Sequence, residues 1–95
     1  MGEYPDYSIL ERRLIKLLDD LHGELSLSER NEVLEFVDVG EYGIGLETLS
    51  SLIVEEGKCI PSSTFEDIAA LAGDMGIGES VITDSLRARV KRESD

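Results

Sequence analysis

"LSLSERNEVLEFVDVGEYGIGLETLSSLIVEEG", residues 25–57, carries two helix-length apolar patterns joined at a glycine. Ser26 with Glu29 three positions later has the form of a capping box, in which each residue satisfies a free backbone N–H of the other; Ser28 is an alternative cap. Val33, Phe36 and Val37 then fall on one buried stripe of a helix, while Asn31, Glu35 and Asp38 project elsewhere and make that outer side acidic. Gly40 stands where a left-handed residue ends such a helix. The next helix is expected from about Glu41 to Glu56, closed by Gly57 with Pro61 a few residues on. Its inner stripe is Tyr42, Leu46, Leu49 and Ile53, and Ile44, Glu47, Ser51, Val54 and Glu55 face outward. Gly45 lies beside the inner stripe, where glycine costs a helix roughly 0.5–1 kcal/mol relative to alanine, so a close backbone contact is expected to offset it.

The same periodicity extends both ways. Leu10, Leu14, Leu17, Leu18 and Leu21 form the stripe of a first helix from near Asp6 to Gly23. Downstream, Ser63 with Glu66 reads as another capping box, opening a fourth helix with Phe65, Ile68, Ala69, Ala72 and Met75 on its core side and Gly76 as its stop. A last helix from about Glu79 would bury Ile82, Leu86 and Val90 and fray through "KRESD". No period-two alternation is long enough for a sheet, and no repeat or low-complexity linker interrupts the pattern. The fold class expected is all-α, a compact bundle of four to five short helices forming one domain over residues 1–95.

Composition narrows the function. The net charge is −12, and from Glu24 to Asp67 eleven acidic residues stand against Arg30 and Lys58 alone, while Arg87, Arg89, Lys91 and Arg92 gather at the other end. Such a surface repels nucleic acid and attracts basic partners at long range. No window approaches the roughly 18 apolar residues of a membrane span, and "MGEYPDYSIL" lacks a basic region followed by an apolar one, so a cytoplasmic protein with no membrane contact is expected. Cys59 is the single cysteine, which excludes an internal disulfide.

Several chemistries can be weighed against the residues. Gly40, Gly43 and Gly45 precede a helix, but their order reverses the dinucleotide fingerprint, no strand precedes them, and no Lys-Ser or Lys-Thr follows as in a P-loop. A calcium loop counted from Asp38 puts Gly43 at the required sixth position, yet Gly40 and Tyr42 occupy ligand positions and Leu49 replaces the bidentate glutamate. Asp84-Ser85-Leu86 resembles the tripeptide that carries phosphopantetheine in acyl carrier proteins, but in that family further helices follow the serine, whereas here about three helical turns remain. His22 and Cys59 suit a helix end and a loop better than a catalytic pair, and two such ligands do not make a zinc site. Asp19-Asp20 and Glu55-Glu56 are sequence neighbours whose side chains diverge on a helix. Neither enzymatic activity nor a cofactor or metal is expected.

Residues 25–76 resemble the MafI-type immunity proteins of bacterial polymorphic toxin and contact-dependent inhibition systems, most densely at Gly40, Glu41, Tyr42, Gly43, Leu46, Glu47, Thr48 and Leu49. The resemblance implies a small cytosolic helical protein, encoded beside a secreted toxin, that binds and blocks the toxin's C-terminal domain. Toxins of such systems are often nucleases. An acidic protein suits that role, because a nuclease has a basic substrate groove that carboxylates can fill as phosphate mimics.

The outward side of the second and third helices is the expected partner-binding face. Ile44 and Val54 would be its apolar centre, Glu35, Asp38, Glu47 and Glu55 its acidic rim, and Glu41 would be held where the two helices meet. The structural alternative is that Ile44 and Val54 are covered by the last helix or are isolated surface residues. A helical adaptor for some other basic protein is the rival function, and nothing in the sequence requires a homo-oligomer.

Overall fold

The computed structural model describes residues 7–91. Among them six helices follow in order: α1 (Tyr7–Asp20), α2 (Leu27–Asp38), α3 (Tyr42–Glu55), α4 (Ser62–Met75), α5 (Gly78–Val81) and α6 (Asp84–Arg87). The all-α bundle expected from the apolar periodicity is present, and no named strand occurs among the described residues.

Helix α3 is the most apolar of the four long helices and packs against all five others. A helix that is apolar around much of its circumference is stable only when neighbours surround it. Leu46, Leu49 and Ile53 are fully buried there, against Leu14 and Leu18 of α1, Val33 and Val37 of α2, and Ile68 and Leu71 of α4 in one continuous core. All five leucines of the first stripe are buried. The buried Ser50 hydroxyl donates to the Val81 carbonyl at 2.9 Å, tying α3 to α5.

The capping box at α2 is formed as read: the Ser26 side chain accepts from the Glu29 N–H, and the Glu29 carboxylate accepts from the Ser26 N–H. Helix α2 ends in a Schellman turn, with Gly40 N–H donating to Val37 and Glu41 N–H to Phe36. Gly40 has φ +79°, a conformation that costs a residue with a side chain, and Gly57 and Gly76 end α3 and α4 in the same way. The close contact expected at Gly45 is also present: a Cβ there would lie 3.3 Å from Leu14 Cδ2 and 3.5 Å from Phe36 Cβ.

Three local expectations need correction. Helix α1 ends at Asp20 rather than at Gly23, because the chain leaves it through successive tight turns that bury Leu21 and Leu25. No box forms at Ser63 and Glu66: extended Pro61 is the residue before the helix, so α4 starts at Ser62 and both residues lie inside it. The single last helix is instead two short ones. Ile82 turns extended, and Thr83 caps α6 by accepting from the Leu86 N–H at 3.1 Å, so Val81 and Leu86 become buried while Ile82 and Val90 are half-buried. After α6, Val90 pairs with Ile60 in an isolated parallel bridge, which holds the segment to the α3–α4 loop. The expected fraying at residues 92–95, and the start near Asp6, lie outside the described residues.

Candidate functional site

The charges of the chain divide by whether the fold uses them. Among the described residues there are four ion pairs: Arg13–Asp74, Lys16–Asp20, Arg30–Asp19 and Lys58–Glu29. Three of them fasten one segment to another, and Lys58–Glu29, at 3.1 Å and largely sheltered, joins the α3–α4 loop to the capping box of α2. The Glu29 carboxyl is accordingly held below the usual glutamate range, first by the hydrogen bond from the Ser26 backbone and then by Lys58. Two basic residues near the C-terminus are also engaged: Arg89 Nε donates to the Lys58 carbonyl at 2.9 Å and its guanidinium reaches Cys59 Sγ at 3.5 Å, while Arg87 lies 5.9 Å from the Phe65 ring centre.

None of these basic residues lines the side of α3 that looks toward α2. There a shallow groove is lined by Glu32, Ile44, Glu47, Thr48, Ser51, Leu52 and Glu55. Its three carboxylates take part in no ion pair among the described residues. The Ser80 hydroxyl of α5 lies 2.8 Å from Glu47 Oε2 and 3.0 Å from the Ile77 carbonyl, and its one proton is shared between these two acceptors. Three carboxylates of one sign along one groove present a negative potential to the solvent.

Of the residues expected at the binding face, Ile44, Glu47 and Glu55 are brought together in this groove. Ile44 is 45% exposed, a large apolar side chain left in water at the end of the groove nearest the start of α3 rather than at its centre. Glu41 is exposed at the start of α3 and borders a second, adjacent groove, which Ile44 also lines. Val54 does not join them; it is half-buried and packed against the core rather than presented as part of an apolar centre. Glu35 and Asp38 are exposed on α2 and line neither groove, because the side of α2 that faces the α3 groove is the one bearing Glu32. Periodicity within α2 separates buried from exposed positions but cannot tell which flank meets a neighbouring helix, and so passes over Glu32.

The second groove lies at the end of the bundle where α1, α3 and α4 approach, between Tyr7, Leu10, Tyr42, Met75 and Ile77. The Tyr7 and Tyr42 rings stack there, with centres 6.0 Å apart. The Tyr42 hydroxyl donates to Glu11 at 3.0 Å, and this bond, with partial burial, pushes the phenol above its ordinary pKa and keeps it neutral.

The single histidine, the single cysteine and Ser85 lie apart from both grooves. His22 Nδ1 bonds the Asp19 carbonyl at 2.9 Å at the end of α1, and Cys59 is exposed in the α3–α4 loop beside Arg89. Ser85 is exposed in the first turn of the four-residue α6. No group of three or more His, Cys, Asp or Glu side chains converges as a metal site among the described residues, and no helix there is long and apolar enough to cross a membrane. No family model matches the chain, and neither the curated proteins nor the solved structures contain a match to it.

Proposed function

We propose that this chain is an immunity protein, which binds the C-terminal domain of a toxin encoded beside it and neutralises that domain stoichiometrically, without a cofactor. The observation that carries the reading is the division of charge: no residue of the four ion pairs lines the α2–α3 groove, whose Glu32, Glu47 and Glu55 remain unpaired among the described residues, with exposed Ile44 at one end. A basic groove of a nuclease domain supplies the missing cations. Its approach is steered by the field of a chain carrying −12, and the exposed Ile44 side chain provides binding energy that charge alone does not.

The resemblance of residues 25–76 to MafI-type immunity proteins supports the same reading, with its densest part at the turn that joins α2 to α3 and sets the groove. The direct experiment is co-expression in the cytoplasm of a toxin-sensitive cell with the C-terminal domain of the adjoining toxin. Growth restored by the chain, together with a one-to-one complex on purification, is the expected outcome. Absence of both rescue and complex would leave an acidic helical adaptor for a different basic protein as the better account.

A further inference from the structure

The acidic groove does not end at Ile44. That side chain is a shared wall, and on its other side the apolar groove opens between Tyr7, Tyr42, Gly43, Met75 and Ile77. We propose that this second groove receives one large apolar side chain of the same partner segment whose basic residues meet Glu47 and Glu55, so that recognition has two points on either side of Ile44. The inference rests on reading the α2–α3 face as a docking surface for a basic domain, and adds what that domain must present.

Three observations specify the occupant. The groove is walled by two tyrosine rings, a methionine, a leucine and two isoleucines, with Glu41 the one carboxylate among its lining residues. Methionine adapts its shape to an inserted group, and aromatic walls favour a flat or branched apolar one. Gly43 contributes no side chain to the slot: a Cβ there would stand in ordinary contact with Ile77 Cδ1 at 3.6 Å, whereas a longer side chain would extend into it. The charge beside it is of one sign: from Ile44 the unpaired carboxylates of α3 continue to Glu55, roughly 16 Å along the helix at the standard rise. A second copy of this chain would bring the same carboxylates against themselves, so it is disfavoured as the occupant. A basic segment with an apolar anchor at one end satisfies both grooves.

The test uses the whole chain, labelled with nitrogen-15, and a synthetic peptide of about fourteen residues carrying one Trp followed by Arg residues spaced over the length of the α3 groove. The expected result is that the amides of Gly40, Gly43 and Ile77 shift together with those of Glu47 and Ser51. Replacing the peptide's Trp by Ala abolishes the first set, keeps the second and weakens binding roughly tenfold. Gly43→Leu, which fills the slot, has the same effect on the unaltered peptide. Shifts confined to the acidic groove, or an affinity unchanged by the Trp→Ala peptide, would overturn the proposal; the peptide arm stands whether or not Gly43→Leu folds. Toxin rescue separates this inference from the one it rests on. A chain that binds the peptide at both grooves yet fails to rescue loses the immunity reading alone, whereas full rescue and unchanged toxin affinity by folded Gly43→Leu would overturn the two-point contact alone.

Discussion

Replacing glycine by alanine has a different consequence at each of three positions along residues 40–45, and the differences can be worked from geometry. At Gly40 an added Cβ would meet nothing within 4 Å, so the whole cost is the backbone at φ +79°. Holding an alanine in the left-handed region costs about 1–2 kcal/mol, which for a domain of this size lowers Tm by roughly 4–16 °C. At Gly43 the φ is ordinary and the nearest atom, Ile77 Cδ1, stands at 3.6 Å. Alanine there gains up to about 1 kcal/mol of helix propensity, so Tm stays or rises by a few degrees. At Gly45 the same gain is offset because Leu14 Cδ2, at 3.3 Å, has to shift. Gly45→Ala should therefore be close to neutral, while Gly45→Leu, whose further carbons have no space between α1 and α2, should cost about 1–3 kcal/mol by overpacking. Thermal unfolding followed by circular dichroism, checked by urea titration, measures all four variants. A Gly40→Ala variant as stable as the original chain would refute the Schellman account of the α2–α3 turn, and a neutral Gly45→Leu would refute the close approach of the helices.

The remaining expectations concern single contacts. Ser50→Ala leaves the Val81 carbonyl without its donor and should lower stability by about 1–3 kcal/mol; an unchanged urea midpoint would mean that the bond does not hold α5 in place. Because the Glu29 carboxyl is lowered by Ser26 and Lys58, its stabilising contribution is complete above the unfolded-state pKa and is lost as pH falls through the folded value. The stability gap between the original chain and Lys58→Met should accordingly be constant near neutrality and close on acidification, and a gap that persists in acid would contradict the pairing. Ile44→Asp, at an exposed position, should alter Tm by little but weaken toxin binding by about 2 kcal/mol or more in calorimetry; a loss of fold instead would assign Ile44 to the core.

What could be read from the residues alone follows the range of the physics involved. Capping at Ser26 and Glu29, the left-handed turn at Gly40 and the leucine stripe of α1 are settled by neighbours within a few positions, and all are present. The split between α5 and α6 was within reach of the same reasoning, since Thr83 followed by Asp84 is itself a helix start, but the spacing of Ile82, Leu86 and Val90 mimics one continuous stripe. Likewise Ser63 and Glu66 match a box whose first helical turn Pro61 had already begun. The face of α3 carrying Ile44, Glu47 and Glu55 was legible because one helix supplies it. Glu32 and Met75 come from other helices and Ile77 from the turn between α4 and α5, and their placement depends on packing that no local pattern encodes.

The central claim is that the unpaired carboxylates of the α2–α3 groove, with Ile44 at one end, bind a basic toxin domain. Its most direct test is the affinity of the chain for the purified C-terminal domain of the adjoining toxin across a salt series, for the original protein and for Glu47→Lys combined with Glu55→Lys. The account predicts tight binding that weakens steeply as salt rises, with the double variant losing both affinity and most of the salt dependence. An affinity indifferent to salt and unchanged by reversing those two charges would contradict it.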